Sequence, residues 1–370
     1  MMLLMMVLTA ATTWAQTRES VSYIDANGNE QTVTATVLTG EETVGKWNNI
    51  DLAAGWYVVK SNISYTDRFA GTGSPGTINI ILADGAEMTV NVSDNPAISP
   101  SNRYPLAIYG QSSGTGRLTV TSDRTAINPS GGLTINGGIV SATSTGYGNG
   151  AIYANDKPIT INGGQVTATP GENTNGIFTE GTITLGGGTV TSYGGYDGTV
   201  AVALPDGYAY SDGSGNTYAN GTLTSAQKSA IAGKILNVTP DPAHFSQSGD
   251  EYTIHTATGW GVFCDALQDN DTYNRFSGKT VTLGANIEVT RMAGSSKHDF
   301  CGTFDGGGNT LTFNHGTSDS YASDEYTAPS TAASRASQQA HTSSGWRTST
   351  STTPSTSPAP SPSSSPTTPP

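Results

Sequence analysis

Charge is scarce in this chain. Asp, Glu, Lys and Arg make up 12% of its 370 residues, and only 16 of them are basic against 29 acidic, a formal charge of −13. No basic cluster interrupts that balance, which excludes a phosphate-backbone partner, so no nucleic-acid binding is expected. Histidine is rarer still. His244, His255, His298, His315 and His341 are dispersed, with no short-spaced ligand pair. Cysteine is limited to Cys264 and Cys301, each directly after a phenylalanine. Without suitably spaced histidines, two cysteines cannot build a structural zinc site. In an exported chain they allow a disulfide, and two neighbouring buried thiols satisfy the sequence equally well.

Long apolar runs are also missing. The segment from Met1 to Ala11 is mostly apolar but too short to span a bilayer. Thr13 and Ala15 are the small residues that suit cleavage before Gln16, so residues 1–15 read as a secretory signal peptide. Its usual basic start is absent and four of the six methionines lie within Met1–Met6, which suits a start further upstream. No other run suits a transmembrane helix in the mature chain, and no cysteine near the cleavage point suits a lipoprotein anchor. The expected address is secreted or cell-surface.

Glycine is plentiful instead, at 46 residues, among many Thr, Ser and Asn. That mixture suits short strands punctuated by turns. One phrase recurs: Leu133-Thr134-Ile135-Asn136-Gly137-Gly138, Ile159-Thr160-Ile161-Asn162-Gly163-Gly164 and Ile183-Thr184-Leu185-Gly186-Gly187-Gly188. Each copy is followed by a second strand-like piece such as Gln165–Thr169, then by a third such as Ala151–Tyr153 or Gly176–Phe178. Period-two alternation puts Leu133 and Ile135 on one face and Thr134 on the other. One such coil cannot bury its apolar face alone, whereas stacked copies make a continuous core. The reading is therefore all-β: a right-handed parallel β-helix, or solenoid. Asn136 is expected above Asn162 in an amide ladder that Gly186 ends, and Tyr153 above Phe178 in a core stack.

The expected organisation is an N-terminal hairpin and cap over 16–55, the repeat domain over 56–237 with roughly six rungs from Trp56 to Val200, and a linker over 238–250. A second, incomplete β-helical module follows over 251–316, and a disordered Ser/Thr/Pro-rich tail over 317–370. A mucin-like stalk fits the tail. A truncated or frame-shifted reading fits it better, because the second module stops after about two rungs.

The run "YVVKSNISY", "INIILADGAEMTV" and "LAIYGQSSGTGRLTV", followed by the "LTINGGIVSAT" copies, resembles the repetitive secreted β-helix proteins of gut bacteria. "FCGTFDGGGNTLTF" resembles the GLUG-type motif of bacterial surface adhesins. The resemblance covers most of residues 21–316. It implies surface display and adhesion-like or glycan-directed roles, and carries over no catalytic residue.

Several motifs bear on chemistry. Gly110–Gly114 fits the pattern of a hydrolase elbow and Gly71–Gly76 that of a dinucleotide loop, but each leads into a strand where the chemistry needs a helix. Asp25, Asn27 and Asn29 match the first ligands of a calcium loop, and Asp206, Asp212 and Asn216 sit in a similar polar loop. A hairpin turn is the better reading of the first, and weak Ca²⁺ binding is the one cofactor that either would allow. The acids of the repeat block, Asp156, Glu172, Glu180 and Asp197, are expected not to stack. Tyrosines are the stronger signal: Tyr193, Tyr196 and Tyr208 lie in or beside loops, where exposed rings can stack on sugar faces. The expected function is adhesin-like, non-catalytic recognition of glycans or surface proteins. A polysaccharide-degrading enzyme and a passive stalk are the alternatives.

Overall fold

The computed structural model describes residues 16–146, 150–268, 276–294, 300–314 and 337–339. The expected signal peptide and nearly all of the expected tail lie outside the described residues. The chain is mostly β and much of its pairing is parallel. It divides into two compact units at Asp241.

The first unit opens with an antiparallel hairpin, β1 (Arg18–Ile24) and β2 (Glu30–Leu38). Its turn is held by Asp25, whose Oδ1 accepts the N–H groups of Asn27 and Asn29. Gly28 takes a positive φ of 80°, which only glycine adopts without strain. The end of β2 then pairs in parallel with Gly55–Val59, starting a long sheet. Ile78–Leu82, Leu106–Gly110, Leu133–Ile135, Ile159–Ile161 and the second half of Ile177–Leu185 follow in parallel order. In register, Ile80, Ile108, Ile135, Ile161 and Leu185 form one buried column.

A second sheet holds the strands between these. Ile63–Tyr65, Glu87–Val92, Arg117–Ser122, Ile139–Ser144, Gln165–Thr169 and Thr189–Ser192 all pair in parallel. Met88, Leu118, Val140, Val166 and Val190 form its buried column. A third line of parallel contacts joins Ile50, Phe69, Ile98, Ile127, Ile152, Ile177 and Tyr196, all buried. The chain thus visits three lines in turn, and like residues stack on like. Strand spacing is about 4.8 Å, so each column is in continuous van der Waals contact. The three lines enclose one apolar core reaching from Leu38 to Leu236.

The repeated glycines follow from this stacking. Gly164 has φ +80°, and a Cβ there would sit 2.4 Å from the Gly138 carbonyl oxygen in the turn before it. The expected ladder is present: Asn162 Nδ2 donates to Asn136 Oδ1 at 2.8 Å. At Gly186 a Cβ would lie 2.9 Å from Asn162 Oδ1, so the ladder ends there.

Two features differ from the simple alternating pattern. Ile78–Leu82 is buried at every position. Ile80 faces the core, while Ile81 joins Val21, Ala35 and Val58 in a second cluster on the outer side of the sheet. The hairpin folds over that side, and Tyr23, Trp56 and Tyr109 pack with centroids 4.7–5.0 Å apart. At the other end, Tyr208–Ser211 and Ile235–Pro240 add antiparallel strands to the second sheet's end. Between them α1 (Ser225–Ala230) starts in a reciprocal cap in which Thr224 and Gln227 satisfy each other's backbone N–H groups.

The second unit, from Pro242, pairs Phe245–Ser248 with Glu251–Ile254, then adds Thr280–Leu283 and Thr303–Asp305 in parallel. The segment expected as a linker over 238–250 therefore holds the end of one strand and all of the next. Their buried residues, Phe245 among them, give the chain a reason to stay on a sheet. A full helix, α2 (Ala257–Gln268), buries Trp260, Phe263, Cys264 and Leu267.

Candidate functional site

The turns that follow the second sheet's strands pile up along one corner of the first unit. At the last of them Tyr193 stands 46% exposed, one of the few large apolar side chains left in solvent. It leaves the 189–192 strand just before Gly194 and Gly195, whose φ values of 73° and 85° turn the chain sharply away. Gly194 leaves no room for a side chain, since a Cβ would sit 2.4 Å from the Thr174 carbonyl oxygen. The neighbouring loop carries Asn173, also at positive φ. Thr169, Pro170, Asn173, Thr174, Asn175 and Tyr193 line a shallow groove of about 640 Å³. Its walls offer one phenol ring, two primary amides and two hydroxyls, and no charged side chain. That combination can stack on an apolar ring face and hydrogen-bond hydroxyls at its rim.

The other two tyrosines singled out in the sequence do not join it. Tyr196 is buried, 6% exposed, at the end of the third column over Ile177. This corrects its reading as a surface ring: the residue after the glycine turn re-enters the core line. Burial raises its phenol pKa, with Tyr210 nearby adding to the effect, so the hydroxyl stays protonated. That hydroxyl has no hydrogen-bond partner. Tyr208 is half-buried and packs against the main core. Neighbouring Tyr210 is fully buried and donates to the Gly187 carbonyl at 2.6 Å.

Tyr153 and Phe178 stack, with centroids 4.9 Å apart and planes 18° from parallel, but not in the core position expected for them. The stack lies outside the core, because Ile152 and Ile177 take the inward places and both rings are half-buried. Desolvation raises the Tyr153 pKa, with Glu180 and Asp156 adding to the effect. Two acids expected not to stack therefore both act electrostatically on one phenol. Asp156 and Glu180 are separated by the same number of residues as the paired Ile159 and Ile183, so the repeat offset itself puts them on neighbouring rungs. Asp156 also pairs with Lys157 at 2.8 Å.

The remaining motifs are structural. After Gly110 the chain turns and enters the 117–122 strand, and the turn is held by Asp84, which accepts from the Ser113 and Thr115 N–H groups. Gly71–Gly76 runs from one strand into the next. Asp25 and Asp212 are each engaged by their own turns. Asp212 accepts from the Asn216 side chain and from the Ser214 and Asn216 N–H groups, which lower its pKa. Among the described residues no three His, Cys, Asp or Glu side chains converge in a metal-binding arrangement. Cys264 is buried in α2, with its thiol 3.5 Å from the Met292 carbonyl oxygen, and Cys301 is exposed. That exposure departs from the reading of two buried thiols.

One contact in the second unit has no signature among the sequence motifs: Ser246 Oγ lies 2.8 Å from His255 Nε2. A nucleophile and base meet at this distance, but a third group must orient the base. Among the described residues no carboxylate bonds to the other ring nitrogen.

Comparison of the chain with protein-family models, with curated proteins and with solved structures found no match.

Proposed function

We propose that the chain is a secreted or cell-surface protein that recognises glycans without catalysis, on a rigid right-handed parallel β-helix formed by residues 56–237. The three stacked lines and their in-register columns support the solenoid. Its hand follows from the strong preference of parallel crossovers for the right-handed sense. The observation that carries the recognition reading is Tyr193, an exposed ring held beside the amides of Asn173 and Asn175 in an uncharged groove. The resemblance to adhesin-like proteins and the signal-like N-terminus support the address.

The test is a glycan array probed with the chain from Gln16 onward and with its Tyr193→Ala variant. Selective binding to one glycan class, weakened about tenfold by the substitution, is expected for the loss of one stacking ring. A blank array from folded protein would move the weight to a passive stalk.

Asp156 and Glu180 beside the Tyr153–Phe178 stack favour a second reading, a polysaccharide-degrading enzyme. Release of new reducing ends from a polysaccharide, abolished by Asp156→Asn or Glu180→Gln, would establish it.

A further inference from the structure

The groove at Tyr193 is the end of a longer feature. On the outer face of the second sheet, Thr121 stands in register with Thr143, and Thr143 with Thr169. Ala168 pairs with Ser192, so Tyr193 follows one place beyond, level with Thr169, and both line the groove. A second rank runs beside this one, with Thr119 over Ser141 and Ser141 over Thr167. The inward neighbours Val120, Ala142 and Ala168 are fully buried, so these hydroxyl-bearing residues belong to the opposite face. The ranks repeat about every 4.8 Å along the stack and lie about 6.7 Å apart across it.

Charge narrows the occupant. The chain has a formal charge of −13, yet these two ranks contain no Asp, Glu, Lys or Arg. Charged residues flank the ranks: Arg117, paired with Glu87, lies two residues before Thr119, and Asp123 two residues after Thr121. Glu87 turns inward along the face and accepts from the Thr119 hydroxyl at 2.8 Å. A polyanion gains nothing on such a surface. A neutral polymer with a hydroxyl-rich edge and a regular repeat finds a donor or acceptor at each step, then a ring at the end.

We infer that this face is a track for one extended chain of a neutral linear polysaccharide, lying along the stack and ending on the Tyr193 ring. The inference rests on the glycan-recognition reading and extends it from a single groove to the two ranks leading to it. Each hydroxyl contact is weak because it replaces one to water. Affinity therefore comes from many contacts made in register on a surface that is already ordered.

The experiment measures Kd by calorimetry for the chain from Gln16 onward. The probes are oligosaccharides of linear β-glucan and of xylan, from disaccharide to octasaccharide, with polygalacturonate fragments of equal length as the charged control. Affinity for one neutral series should rise with each added sugar and level off once the track is filled, with the polygalacturonate series at least tenfold weaker. Thr121→Val with Thr143→Val removes two hydroxyls and keeps β-branched side chains, so the fold is retained. It should flatten the length dependence while leaving disaccharide binding at Tyr193 unchanged.

Equal Kd from disaccharide to octasaccharide, or a length dependence untouched by the double Val variant, would overturn the track and leave the Tyr193 groove standing. Equal binding of polygalacturonate would overturn the assignment to neutral chains. No binding of any series by folded protein would overturn the track together with the reading beneath it.

Discussion

Single residues show where stacking sets the chemistry. The Asn136–Asn162 ladder places a hydrogen bond between two amides, one of them buried. Replacing Asn162 with Ala leaves Asn136 Oδ1 without that donor. The expected loss is about 1–3 kcal/mol, the typical cost of a buried polar group left unsatisfied, read as a lower urea midpoint. Tyr196 makes the opposite case. Its buried hydroxyl has no partner, so Tyr196→Phe should hold or raise stability by about 1 kcal/mol. Glycan binding should be unchanged, since the ring faces the core. A binding loss in that variant would return Tyr196 to the surface site.

At the scale of elements, the hairpin of Tyr208–Ser211 with Thr217–Tyr218 is closed by Asp212. The Asn216 side chain leads the hydrogen bonds that depress the Asp212 pKa. A depressed carboxylate contributes stability above its unfolded value of about 4, and the contribution is lost as pH falls through the folded value. Urea midpoints should therefore drop between neutral pH and about pH 3, and Asp212→Asn should reduce that dependence. A slope identical in the variant would show that other carboxylates carry the acid response. The N-terminal hairpin illustrates a different element-level effect. Its outer cluster with Ile81 and Tyr109 closes the first sheet's exposed face, so no further strand has to cover it.

At the scale of the molecule, the continuous core from Leu38 to Leu236 belongs wholly to the first unit. A fragment of residues 16–241 should therefore fold by itself and unfold in one cooperative transition by circular dichroism. A gradual, non-cooperative loss of signal would mean that the columns are not one core. Nearest-neighbour stacking predicts the cooperative outcome, because every rung shares its buried face with the next.

The sequence alone determined the repeating β architecture. The phrase ending in two glycines, the alternation within it and the Asn136–Asn162 offset are local features, and local features survive being read one residue at a time. The Asn ladder and the Tyr153–Phe178 stack follow from them. Tertiary structure alone decided which tyrosines meet solvent. Tyr193 and Tyr196 are three residues apart beside the same glycines, yet Gly194 and Gly195 turn the chain so that one ring leaves the core and the other joins it. Composition carries no sign of that turn's direction. The burial of Ile81 under the hairpin and the register of Thr121 with Thr143 were likewise settled by the fold, whereas Asp156 with Glu180, and Thr143 with Thr169 and Tyr193, share the offsets of the repeated phrase. Register depends on how long each intervening loop is and how tightly it folds, and hydrophobic periodicity does not encode either.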